Sequence, residues 1–316
     1  MRGVVEARYV GTVKFVAKKL AKQKDETEEH EDLISYHLHR TLCADSEPKW
    51  RADGRIHASD LSREDFCPRF FALRDVTGLP QKSVTYLATV DHLVFAQGRM
   101  HATMVIDWAA RAGIAWGFWS CVQCGYQTGL QPRPTKCHKC QKQTVWRYRE
   151  VVVRSDFSGV SGGLDLLVQL PGRDKLLVVE LKSYPKEKFQ ALKMPLAEHR
   201  ERTNLYLRLV DECGLPGLET IDTTEARVLY VTKGGWGRKS GEPKAWGLKD
   251  RGWTPFHEFT VKRDDSATEY LVEKARPYWA WRVDGESFPK GICPHALSSV
   301  AQNCDYASAC FSGKFK

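Results

Sequence analysis

The alternation of apolar and polar positions divides the chain into unequal parts. Residues 4–16 carry the alternation of a short hairpin. Residues 18–40 are densely charged and helical in pattern, with the acidic run 25–32 on a solvated face. From Ser59 the signals sharpen. The stretch 59–65 opens a helix with Ser59 or Asp60 as its cap, and residues 87–112 carry a longer helical pattern. Residues 119–146 are rich in glycine, proline and threonine and read as loops. Strand signals follow. Residues 148–155 alternate and are rich in valine, 163–170 and 175–181 are apolar runs, and Pro171-Gly172-Arg173-Asp174 is the turn between these two. Together they predict a β-meander. Residues 187–212 form a helix broken or offset at Pro195, 226–232 and 257–262 form strands, and 266–283 form a helix. The last thirty or so residues have little periodicity.

Composition narrows the class. With 316 residues, 42% hydrophobic and 28% charged, the chain suits one sizeable core with insertions, or two small domains. No run of about 18 apolar residues predicts a membrane span, and residues 1–20 lack the apolar core of a signal peptide. A cytoplasmic location is therefore expected. Lysine and arginine number 48 against 39 acids, a net charge of +9 that suits a polyanionic partner. Ten cysteines without an export signal read as metal ligands before disulfides.

Chemistry concentrates in residues 162–183. Asp165 lies in one predicted strand and Glu180-Leu181-Lys182 in the next. Glu180 and Lys182 are two apart and face the same side of a strand. A hairpin brings Asp165 beside Glu180, making a site of the oxygen ligands that Mg²⁺ or Mn²⁺ prefers, with a lysine beside it. The bland alternative is a surface salt bridge. A second cluster, Cys121-x2-Cys124 and Cys137-x2-Cys140, has the spacing that wraps one Zn²⁺ tetrahedrally, closed and structural. Its basic neighbours Arg133, Lys136, His138, Lys139 and Lys142 make it either a DNA-contacting finger or a folding staple.

Gly162-Gly163-Leu164-Asp165, followed by Glu180-Leu181-Lys182-Ser183, resembles the PD-(D/E)XK nuclease superfamily in its RecB-like branch. The resemblance implies that Asp165 and Glu180 bind the catalytic metal and that Lys182 is catalytic. Gly98-Arg99-Met100-His101 resembles the branch's upstream Gly-x-x-His, making His101 a further ligand beside the Leu181 carbonyl, with Arg99 near the substrate. The branch's Gln-x-x-x-Tyr motif corresponds to residues 202–206. Tyr206 matches, while Arg202 replaces the glutamine and either contacts phosphate or is solvated. Cys67, with Cys293, Cys304 and Cys310, resembles the cysteine order of iron–sulfur members such as AddB and CRISPR-associated exonucleases, which implies a 4Fe–4S cluster. Cys43 and Cys213 are left as ordinary thiols.

The fold so implied is α/β, a restriction-endonuclease-like core with a central mixed sheet flanked by helices, an inserted zinc ribbon and an iron–sulfur-stapled helical region. Its parts are an extension of unassigned role (1–57), a helical region with Cys67 and His101 (58–116), the ribbon (117–147), the nuclease core (148–264) and the C-terminal helix with the cluster segment (265–316). The implied activity is Mg²⁺- or Mn²⁺-dependent DNA hydrolysis, as an exonuclease directed at single strands or ends, with Trp116, Trp119, Trp146 and Tyr184 as candidate base-stacking rings. The alternatives are an inactive DNA-binding or assembly protein, an RNA-directed nuclease and an iron–sulfur redox protein. A helicase, recombination or integration partner stays unassigned, and the chain carries no Gly-x-x-x-x-Gly-Lys-Ser/Thr motif of its own.

Overall fold

The computed structural model describes residues 54–78, 89–214, 216–234 and 255–315, with Ile34, Leu38 and Thr41 besides. The expected hairpin at residues 4–16 and Cys43 lie outside the described residues. Of the expected helix over residues 18–40, Ile34 and Leu38 are described, and both are helical. The chain divides into two units, Met1–Lys49 with Gln81–Val94, and Trp50–Pro80 with Phe95–Lys316. All described strands lie in the second.

That unit runs β1 (Ile56–His57), α1 (Ala58–Leu61), α2 (Pro68–Thr77), the end of α3 (Thr89–Arg111), β2 (Ala115–Cys121), β3 (Gln131–Pro132), β4 (Trp146–Arg149), β5 (Val151–Ser155), β6 (Val160–Leu164), β7 (Leu166–Val168) and β8 (Leu177–Tyr184). Then come α4 (Lys186–Gln190), α5 (Ala197–Cys213), β9 (Glu225–Thr232), β10 (Phe256–Lys262), α6 (Asp265–Asp284), α7 (Ser299–Gln302) and α8 (Ala307–Cys310). A mixed seven-stranded sheet has the order β10-β9-β8-β7-β2-β3, with β4 also on β2; β8 and β9 are parallel and the other pairs antiparallel. A second sheet has the order β1-β6-β5. The architecture is thus α/β with a mixed sheet flanked by helices. No described helix is long and apolar enough to cross a membrane.

Several elements depart from the sequence reading. The expected strand over 163–170 breaks at Asp165, where the chain bends out of β6 in the small sheet and into β7 in the large one. The expected strand over 148–155 breaks at Glu150 in the same way, so the meander is split between two sheets. α1 is capped by the His57 ring, which accepts the Ser59 N–H at 3.3 Å, because Ser59 and Asp60 already lie inside the helix. β2 crosses the expected boundary at 116/117, so the cysteine-bearing segment grows out of a core strand.

Side-chain alternation on β8 sorts the core. Leu177, Val179 and Leu181 pack with Val105, Ala109 and Ala110 of α3, and with Trp119 and Trp146. Val178 packs on the opposite face with Leu205, Leu207 and Leu209 of α5. Each such buried aliphatic chain contributes about 1.5–3 kcal/mol. Trp119 and Trp146 are buried core rings, which removes them as base-stacking candidates.

Candidate active site

The alternation that faces Leu177, Val179 and Leu181 toward α3 turns Glu180 and Lys182 toward α5. Asp165, at the bend before β7, reaches the same place. Its Oδ2 accepts the Leu181 N–H at 2.8 Å and lies 3.9 Å from Lys182 Nζ. Lys182 Nζ also contacts Glu180 Oε1, and Arg202 Nη1 of α5 approaches that oxygen at 3.3 Å. The structure thus brings Asp165, Glu180, Lys182 and Arg202 together.

Glu180 is 1% exposed, and its Oε2 has no hydrogen-bond partner. Such a buried, unsatisfied carboxylate oxygen is costly. Asp165 is pushed up to about 8 by burial first and by the neighbouring Glu180 charge second, against the pull of Lys182 and the Leu181 N–H. Two carboxylates crowded on one face, one with an unfilled oxygen, fit a divalent cation. His101 is buried, and its Nδ1 is unpartnered. Burial, then the Lys233 charge, holds its pKa below the ordinary value, so the ring is in the neutral form that binds metals. It continues the face of α3 that carries Val105 and Ala109. Among the described residues the only group of three or more metal-ligating side chains with all ligand atoms within 4.8 Å of one another is a cysteine set, so His101 does not close to that spacing on Asp165 and Glu180. A Cβ at Gly98 would lie 3.5 Å from Ser183 Oγ, which puts the Gly-x-x-His turn of α3 against the end of β8.

Tyr206 is 3% exposed and packs behind the site. A Cβ at Gly162 would lie 2.6 Å from its ring, so the glycine is what admits it. Burial, with the charges of Glu180 and Asp165, raises its pKa and keeps the phenol neutral. Arg99 is exposed on α3 and has no carboxylate partner among the described residues.

Two participants were not singled out from sequence. Glu150 closes β4, and its carboxylate lies over Gly163, where an added Cβ would come within 2.6 Å of Oε2. It adds to the negative field at Asp165. A sequence signal exists: Glu150 is the first acid after a long run without one. His199, one turn before Arg202, is pulled down to about 3 by burial, then by Lys182 and Arg202. The Tyr230 hydroxyl accepts the Leu196 N–H at 3.0 Å and donates to neutral His199 Nδ1 at 2.7 Å. This pair pins the start of α5, and hence Arg202, against β9.

Cys121, Cys124, Cys137 and Cys140 form a group that could hold a metal ion. The Sγ separations of 3.8 Å (Cys121–Cys140) and 3.7 Å (Cys124–Cys137) equal the edge of a tetrahedron whose centre is about 2.3 Å from each sulfur, the zinc–thiolate bond length. Cys67, Cys293, Cys304 and Cys310 do not close to single-ion spacing, yet the other three all contribute to the field at Cys304. Cys67 caps α2, Arg69 Nε donates to Cys310 Sγ at 3.2 Å, and Phe70 meets Tyr306 edge-on, so the C-terminal segment is docked on α2. Cys213 Sγ accepts the Arg154 N–H at 3.3 Å, as an ordinary structural thiol does. No family model matches the chain, and no curated protein matches it.

Proposed function

We propose that the chain is a divalent-metal-dependent nuclease that hydrolyses DNA phosphodiester bonds on a restriction-endonuclease-like core, with the RecB-like members of the PD-(D/E)XK superfamily as its nearest pattern. One observation carries the reading: Asp165 and Glu180 converge with Lys182 on one face, and buried Glu180 Oε2 is left unfilled. Asp165 and Glu180 would hold Mg²⁺ or Mn²⁺, with His101 and the Leu181 carbonyl as further ligands. When bound, the cation polarises the scissile phosphate and acidifies water at the site.

The chain's own groups do the rest. The Leu181 N–H fixes the Asp165 carboxylate. Arg202 and Lys182 share Glu180 Oε1, which leaves Oε2 without a partner of its own and so open to a ligand. The Lys182 ammonium, within reach of both carboxylates, orients the attacking water and offsets the charge that builds on phosphate. Arg202 takes part through Glu180, in place of a direct phosphate contact. The four ribbon cysteines, at single-ion spacing, are assigned to structural Zn²⁺. The wider set of Cys67, Cys293, Cys304 and Cys310 is assigned to a 4Fe–4S cluster, which spreads its thiolates further apart than one ion does. DNA is the substrate that fits a +9 chain around an acidic metal site.

The test is cleavage of labelled single-stranded and duplex DNA with added Mg²⁺ or Mn²⁺. Asp165→Ala and Lys182→Ala should each lose at least about a hundredfold in rate. Wild-type cleavage by both variants ends the reading. Anaerobically purified protein should carry about four irons and one zinc per chain.

A further inference from the structure

The segment between α3 and the carboxylate site has a lopsided charge. Residues 112–149 hold six cations, Arg133, Lys136, Lys139, Lys142, Arg147 and Arg149, and no aspartate or glutamate. Four thiolates around one divalent ion leave −2, so the segment keeps a charge of about +4. Arg133 is paired with Asp107 at 3.1 Å. Arg147 and Arg149 are different. They stand two apart on β4 and so project from one face. Both are exposed, and among the described residues neither guanidinium has a carboxylate partner.

They line a cleft of about 380 Å³ together with Ser120, Cys121, Val122, Gly125 and Gln127. Its floor is β2, where Ser120 is register-paired with Arg147 on one side and bridged to Gln127 on the other. The cleft combines two unpaired planar cations with a hydroxyl and an amide. That set matches phosphate oxygens, which a guanidinium grips by two N–H bonds at once. β4 leads directly into Glu150, whose carboxylate lies over Gly163, two residues before Asp165. A polyanion seated over the paired strands β2 and β4 therefore lies beside the strand that leads to the acidic centre.

We propose that the cleft over the β2–β4 pair binds the DNA phosphate backbone, with Arg147 and Arg149 gripping phosphate oxygens and Ser120 and Gln127 donating hydrogen bonds to them. The choice of DNA rests on the nuclease reading; the charge and the cleft do not. Cys121 of the ribbon lines the cleft, but Arg147 and Arg149 belong neither to the catalytic carboxylates nor to the four cysteines, so they can be replaced without altering either.

The test is fluorescence polarisation of a labelled 20-nucleotide DNA in buffer freed of Mg²⁺ and Mn²⁺, across a salt series. Arg147→Ala/Arg149→Ala should bind at least about tenfold more weakly, with the log–log salt slope reduced by about two, one for each lost phosphate contact. Arg147→Lys/Arg149→Lys should recover most of the slope, because it keeps the charge. Zinc content and melting temperature check that the variants are folded; if the double variant loses zinc, each single variant should lower the slope by about one. Wild-type affinity and slope in the double-alanine variant overturn the proposal. So does a double-lysine variant no better than the alanine one, or a wild-type chain that binds no DNA. Loss of cleavage in Asp165→Ala with unchanged binding in the arginine variant leaves the nuclease reading standing and this one fallen. Arginine-dependent binding with no metal-dependent cleavage by the wild-type chain does the reverse.

Discussion

Asp165→Asn should stabilise the metal-free protein at neutral pH while ending cleavage. Burial, then the Glu180 charge, pushes the Asp165 carboxyl up to about 8 from 3.8. The folded chain therefore keeps a proton that the unfolded chain releases. Stability from this group is fully present below about pH 4 and is lost as pH rises toward 8. At pH 7 the gap spans roughly three pH units, which at about 1.4 kcal/mol each is on the order of 4 kcal/mol. That is an upper bound, since the side chain is 27% exposed and solvent screens its charge. Asparagine keeps an oxygen for the Leu181 N–H and carries no charge to desolvate, so a gain of about 2–4 kcal/mol is expected. For a chain of this size that is roughly 5–10 °C in melting temperature. Thermal melts of both proteins in buffer freed of divalent metal, from pH 5 to 8.5, should show a gap that widens with pH. Mn²⁺ should then raise the melting temperature of the wild-type chain and leave that of the variant unchanged. An asparagine variant no more stable than wild type at pH 8 refutes the reasoning, because the carboxylate would then be at no disadvantage where it sits.

Four further outcomes follow from neighbouring contacts. Glu150→Gln removes one of the charges that raise Asp165, so the pH at which metal-dependent cleavage reaches half its maximum should move down by a few tenths of a unit to about one unit; a pH profile superimposable on wild type counts against the contact. Gly162→Ala should cost about 1–3 kcal/mol in denaturant unfolding, because its Cβ meets the Tyr206 ring, and Tyr206→Leu in the same chain should recover part of that; strictly additive penalties would disconnect the two positions. Cys137→Ser should abolish ribbon zinc, measured as metal content, and expose Trp119 and Trp146 to water, seen as a red shift in emission; retained metal speaks against four-thiolate binding. Cys304→Ser should remove iron and visible absorption and make the chain after Asp284 protease-sensitive; a colourless wild-type preparation after anaerobic handling removes the cluster assignment.

Much of the site was legible because its signal is local. Glu180 and Lys182 share a parity, and parity in a strand survives whatever packs around it. The group of Cys121, Cys124, Cys137 and Cys140 was legible for the same reason, since a CxxC spacing brings two sulfurs together within one turn. What the sequence obscured depends on three-dimensional neighbours. β2 was missed because both faces of Ala115–Cys121 carry large or small apolar residues, with Trp116 and Phe118 opposite Trp119, so no polar alternation marks a strand. The break at Asp165 was missed because apolar residues continue on both sides of it, and the change of sheet leaves no trace in hydrophobicity. Arg202 was read from its place in a motif, as a phosphate contact or a solvated residue. Its contact with Glu180 comes from the packing of α5 over β8, which sequence spacing does not encode.

The electrostatics of β8 argue for a ligand more strongly than the motif does. A strand selected only for stability would carry an apolar residue at 180, where the side chain is 1% exposed. If a charge stood there for structural reasons, both of its oxygens would be saturated, because a half-satisfied buried carboxylate is worse than none. Lys182 and Arg202 instead converge on Oε1 and leave Oε2 bare, and a second carboxylate is held next to it at the cost of its own ionisation. Cations were available to the fold, since Arg202 Nε is itself buried without a partner. The unmet negative potential therefore sits on Oε2, the oxygen that neither cation reaches. A positive ion bound there would relieve it, and Glu180→Gln should mimic that relief by raising metal-free stability as Asp165→Asn does. A Glu180→Gln protein that unfolds more easily than wild type at pH 8 would mean that the Lys182 and Arg202 pairings outweigh the burial, and that the carboxylate is structural after all.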